Sequence, residues 1–182
     1  MFIALLIVAV IIIWALLSYN SLIHLKNQVA SAWSDIDVQL TRRHELIPQL
    51  VKTVQAYKDY EKETLALTTL LRSAKQNNSP KEQQSLEQKI NIQLGKITLL
   101  QEAYPDLKAD QSFLELMENL SDTEDKLQYA RRYYNGSVKA FNTKVQQIPD
   151  NIIATLFKFS EAQFFELETS DMAKKIKVQL DD

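Results

Sequence analysis

Two histidines, His24 and His44, are the side chains best suited to proton transfer near neutral pH, and neither stands at a spacing such chemistry needs. Di-iron bundles place Glu-x-x-His on facing helices, but no glutamate lies three residues before either histidine. His44-Glu45 starts like a zinc-protease helix motif, yet Pro48 occupies the position of the second histidine. Two glycines in the whole chain cannot build a phosphate-cradling loop, no Gly-x-Ser-x-Gly elbow occurs, and cysteine is absent. That absence rules out disulfides, thiolate metal sites and a cysteine nucleophile. With no nucleophile–base pair and no ligand cluster, the chain reads as a non-enzyme, with no cofactor, metal or small-molecule substrate expected. Both histidines read as headgroup-facing or surface residues.

The densest polar run beside an apolar stripe is Ser34, Asp35, Asp37, Gln39, Arg42 and Arg43, flanked by Trp33. Asp35 and Gln39 share a helical face at i, i+4, whereas Asp35 and Arg42 lie two turns apart and do not meet. The bland reading is a solvated helix face whose ion pairs contribute a few tenths of a kcal/mol each. The functional reading is a recognition surface made of Trp33, Asp35, Asp37, Gln39, Arg42 and Arg43, and the first of the two readings is preferred on spacing alone.

Helical elements must position these residues. The chain has 182 residues with only two glycines and four prolines, and is dominated by Leu, Ala, Gln, Glu and Lys, so long helices with few breaks follow. Lys plus Arg number 21 against 23 Asp plus Glu, which offers no basic face for nucleic acid. Every residue from Phe2 to Leu17 is apolar, and no charge appears before His24. About 20 residues of helix span a hydrocarbon core of roughly 30 Å, so residues 1–23 are expected to be a transmembrane anchor. Trp14 and Tyr19 suit the interface. A cleaved signal peptide would show a basic start and a small-x-small site, and neither is present. No Lys or Arg precedes the span, while Lys26, Arg42 and Arg43 follow it; the positive-inside rule then puts the bundle in the cytoplasm, on the strength of Lys26 alone within the nearest 15 residues.

Apolar residues at Leu22, Leu25, Val29, Ala32, Ile36 and Leu40 continue the anchor as a bundle seam. This predicts one helix leaving the membrane and ending near Arg42–Glu45, with Pro48 opening the next. A kinked single helix is the alternative, because Leu46, Ile47, Leu50, Val51 and Val54 keep the period. A second helix runs through Tyr57, Leu65 and Leu71 to about Gln76. Asn77-Asn78-Ser79-Pro80 then breaks the chain, with Ser79 as N-cap and Pro80 first in the third helix. That helix carries Leu86, Ile90, Leu94, Ile97 and Leu100 and stops at Tyr104-Pro105-Asp106. A fourth helix of about 36 residues, roughly 54 Å long, begins around Ala109–Gln111 and absorbs Gly136. The predicted fold is all-α: a transmembrane helix continuous with an antiparallel up-and-down four-helix bundle (residues 24–148), plus a short C-terminal amphipathic helix in an aromatic segment that ends in a solvated tail (149–182). The last helix returns Phe157, Phe159, Phe164 and Phe165 toward the bilayer, where capping the bundle core is favoured over an in-plane helix on lipid.

Particular runs carry a resemblance: Tyr19-Asn20-Ser21-Leu22, Ala32-Trp33-Ser34-Asp35-Ile36-Asp37-Val38-Gln39-Leu40, Arg42-Arg43, and Leu46-Ile47-Pro48-Gln49-Leu50-Val51. With Tyr104-Pro105-Asp106-Leu107, Tyr133-Tyr134-Asn135, Phe141-Asn142, Pro149-x-Asn151 and Phe157-x-Phe159, they resemble the LemA family over nearly the whole chain. The resemblance implies a bacterial cell-membrane protein with a four-helix up-and-down bundle and no defined reaction. It departs at Lys158, where relatives often have glycine. Family members tied to organising specialised membranes imply, by analogy, a scaffold. The expected partners are the lipid bilayer and other membrane or envelope proteins, with a homo-oligomer left open. Regulation of a membrane protease or signalling protein is the alternative role.

Overall fold

A computed structural model describes residues 1–55, 61–74, 79–100 and 104–165. Tyr57, Gln76, Asn77, Asn78, Glu102, Ala103 and the tail from residue 166 lie outside the described residues. The elements are α1 (Phe2–Gln55), α2 (Glu61–Ala74), α3 (Pro80–Leu100), α4 (Pro105–Ala109), α5 (Gln111–Gln146) and α6 (Asp150–Leu156). Among the described residues there is no strand, as the composition predicts.

The first helix does not end near Arg42–Glu45. It runs unbroken for 54 residues with Pro48 inside it. An interior proline costs about 3 kcal/mol. Leu50, Val51 and Val54, all beyond the proline, are buried, and at about 1.5–3 kcal/mol each their burial exceeds that cost. Core packing over the next two turns overrides the local breaker.

Local signals do set the starts of α3 and α5. Ser79 and Glu82 form a capping box: Ser79 N–H donates to Glu82 Oε2 at 2.9 Å, and Glu82 N–H donates to Ser79 Oγ at 3.4 Å. Pro80 follows as the first residue of α3. Asp110 caps α5 by accepting from Ser112 N–H and Phe113 N–H at 2.8 and 3.1 Å. The Tyr104-Pro105-Asp106 stretch is not wholly a stop, because Pro105 starts the one-turn α4.

Helices α1 and α5 pack antiparallel along most of their length, with Leu22 beside Phe141 at one end and Arg42 beside Asp122 further along. The interior divides into three apolar clusters. A distal one joins Ile47, Leu50 and Val54 of α1 to Leu67 and Leu71 of α2, Ile90 and Ile97 of α3, Leu107 of α4, and Phe113 and Leu120 of α5. The middle one joins Ala32, Ile36 and Leu40 to Leu127, Tyr134, Val138 and Phe165. The basal one joins Leu22, Phe141, Ile153 and Ala154. Neither α2 nor α3 contributes to the middle or basal cluster; there the α1–α5 pair is closed by α6 and by the non-helical segment 158–165.

Candidate interaction surfaces

The polar run of α1 divides in two once folded. Asp35, Asp37 and Val38 are exposed and Gln39 is half-buried. Arg42 stays at the surface, its Nη2 3.6 Å from Asp122 of α5. Trp33 turns inward, its ring 5.4 Å from Tyr134 and 6.1 Å from Phe165, centroid to centroid.

Arg43 is no surface residue. It is 4% exposed, and its guanidinium bonds Glu87 Oε2 at 2.6 Å, approaches Glu124 Oε2 at 3.3 Å and donates to Asn91 Oδ1. His44 is likewise buried rather than headgroup-facing: its Nε2 donates to Glu87 Oε1 at 2.8 Å, and Gln83 Nε2 donates to the same oxygen at 3.0 Å. Arg131 of α5 closes the cluster, 3.7 Å from Glu124. His24, by contrast, is exposed. The cluster sits on α1 between Leu40 of the middle apolar cluster and Ile47 of the distal one. Desolvation pushes the Glu87 carboxyl up, but the hydrogen bond from His44 and the charges of Arg43, His44 and Arg131 outweigh it and hold the group below the ordinary carboxylate range. Every charge in the cluster faces an opposite one, which is how such groups become tolerable inside a protein. The neighbours of Arg43 and His44 in the chain gave no sign of this, since Glu87 and Glu124 lie far along it.

The aromatic residues after Pro149 are held by a second polar device. Asn142 Nδ2 donates to the Ala162 carbonyl at 2.9 Å while Ala162 N–H donates to Asn142 Oδ1 at 2.8 Å. Asn135 makes the same reciprocal pair with Phe165, at 2.7 and 2.9 Å. Between them, Tyr134 Oη donates to the Gln163 carbonyl at 2.8 Å. Seven helical residues rise about 10.5 Å, the reach of three residues of extended chain, so the two asparagines grip every third residue of the strap. Phe165 is thereby seated in the middle cluster at 1% exposure, with the Arg131 guanidinium 5.0 Å above its ring. Phe159 is half-buried, whereas Phe157 and Phe164 remain exposed. Phe157 and Phe159 pack on Tyr19 of α1, at 4.7 and 5.9 Å. The turn at Lys158 is left-handed, φ +57°, which explains why glycine suits the position. A groove of about 450 Å³ follows the strap, lined by Lys26, Trp33, Tyr134 and Phe159 among others.

Among the described residues no group of three or more His, Asp or Glu side chains could hold a metal ion. The only helix long and apolar enough to cross a membrane among the described residues is α1. These features define a class: an all-helical, membrane-associated protein in which one apolar helix is continuous with the bundle. The LemA family profile matches residues 32–180, and the chain belongs to the LemA family. Protein LemA of Metamycoplasma hominis is 29% identical over 166 residues, covering 84% of this chain and 74% of the relative. Magnetosome proteins MamQ 2 and MamQ 1 of Paramagnetospirillum magneticum are each 26% identical over 73 residues, 40% of this chain and 27% of theirs.

Proposed function

We propose that this chain is a non-catalytic scaffold or interaction module, anchored in the bacterial cell membrane by the first part of α1. The observation that carries the reading is the unbroken 54-residue α1, whose apolar residues 2–13 stand exposed while its later turns form the bundle seam. No flexible linker separates the apolar segment from the bundle, so the presented surfaces keep a fixed height and orientation over the bilayer. The outward face of Asp35, Asp37, Val38 and Arg42 is the docking surface for another membrane or envelope protein. Two relatives are named as magnetosome proteins, which fits the scaffold analogy.

A photocrosslinking residue at Asp37 in the full chain, in native membranes, tests this. Capture of one discrete membrane protein, lost on Asp35→Lys with folding intact, is the expected result. Diffuse or absent capture would count against it, as would substrate turnover by the purified protein abolished by a single substitution. A reporter fused after Asp182 settles the side, cytoplasmic by the Lys26 bias.

A further inference from the structure

We propose that the base of the bundle is itself seated in the lipid surface, so that the protein meets the bilayer through α6 and the preceding turn as well as through α1. The proposal rests on the reading that α1 spans the membrane.

Height comes first. Ser18 Oγ donates to Asp150 Oδ1 at 2.5 Å, which fixes the start of α6 beside Ser18 of α1. At that height α1 is still apolar on its open side: Leu16 is 59% and Leu17 64% exposed. The first polar residue of α1 is Ser18 itself, and no charge appears until after Ile23. Hydrocarbon that covers Leu16 and Leu17 therefore reaches the level of α6. There the protein exposes Ile148, Ile152, Leu156 and Phe157, each more than half accessible. The two apolar surfaces form one belt, and a belt of that kind marks an interaction site.

Charge agrees with depth. From Phe141 to Phe157 the only charged side chains are Lys144 and Asp150, and they pair at 2.7 Å with Asp150 itself buried. A carboxylate neutralised by an ammonium and bonded to a hydroxyl is compatible with a low-dielectric surrounding. The cations above the belt begin with Lys26, Lys139 and Lys158. Lys26 Nζ lies 5.9 Å from the centre of the Phe159 ring, and the Tyr19 ring packs at a tilt against Phe157. Aromatic rings with lysines just beyond them are the side chains that sit at the headgroup level, where the cations also attract anionic lipid.

The chain's lack of cysteine permits clean single-cysteine labelling of the full-length protein. Ile7→Cys, Ile152→Cys, Leu156→Cys and Ile92→Cys, each carrying an NBD fluorophore, are reconstituted into phosphatidylcholine–phosphatidylglycerol vesicles containing doxyl-labelled lipid. The proposal expects quenching at 152 and 156 by doxyl placed near the headgroup, with blue-shifted emission, several-fold above that at 92 on the exposed side of α3. Labels at 152 and 156 that respond only to aqueous iodide would overturn it. So would labels shielded from iodide yet untouched by doxyl lipid, since a second copy or another protein would then cover the face. Quenching at Ile7 by deep doxyl separates the two readings: without it the span itself fails, and with it only the seating of the base is at issue.

Discussion

Burying Glu87 is tolerable because Arg43 and His44 meet its two oxygens, at 2.6 and 2.8 Å. Removing one partner strands the others, so Arg43→Ala is expected to cost about 3–5 kcal/mol. Replacing both ions with apolar groups removes the stranded charge; Arg43→Met combined with Glu87→Leu should lose less than either change alone, a sign of coupling that thermal melts of the detergent-solubilised full chain would reveal. The carboxyl of Glu87 is held below its ordinary value near 4.5 in the folded state. Its contribution is therefore fully present above that value and is lost as pH falls below it. The stability difference between the wild type and Glu87→Gln should shrink as pH drops below 4.5, whereas a constant difference would show that ionisation of Glu87 is irrelevant. Lys158 offers a separate test at this scale. A left-handed conformation costs a non-glycine residue about 1–2 kcal/mol, partly offset in a glycine variant by a freer unfolded chain. Lys158→Gly is expected to raise the melting temperature modestly and Lys158→Val to lower it, with calorimetry as the measure.

At the scale of elements, α5 does two jobs: it is the long antiparallel partner of α1, and it presents Asn135 and Asn142 to the strap. Removing either amide leaves a strap N–H and carbonyl without that partner, at about 1–3 kcal/mol per buried group. Asn142→Ala should therefore speed hydrogen exchange at Ala162 far more than at residues of α3, and uniform exchange across both would refute the clamp. Gly136, on the same helix, has open space where a Cβ would stand. Gly136→Ala is expected to stabilise the protein by about 1 kcal/mol through helix propensity alone, visible as a shift of the melting curve. The helix periodicity and the Ser79-Pro80 start were legible because caps and stripes are local. The course of α1 through Pro48 was not, because the residues that outweigh the proline act through contacts with α2, α3 and α5.

Across the whole molecule, helices α1 to α5 together enclose only the distal half of the core. The half nearer the apolar end of α1 is a helix pair closed by α6 and the strap, with Phe165 filling the middle cluster. Truncation after Leu156 should expose Ala32, Ile36, Tyr134 and Val138, raising binding of an apolar dye and lowering the melting temperature. The helicity of α1 and α5 should largely persist. Full retention of stability would show that the strap is dispensable. The structure seats Phe165 inside and leaves Phe157 exposed, so only part of the aromatic segment caps the core.

By itself the sequence determined the helical class, the apolar stretch of α1, the seams, the Ser79 cap and membership of the LemA family. These depend on residue type and on periods of three to four positions, which are written along the chain. Tertiary structure alone decided that Arg43 and His44 are buried, that Asn135 and Asn142 hold the strap, and that α6 stands beside Ser18. Each depends on residues tens of positions apart meeting at one height. A polar side chain on a helix stripe reads as surface until the partner that satisfies it is in place.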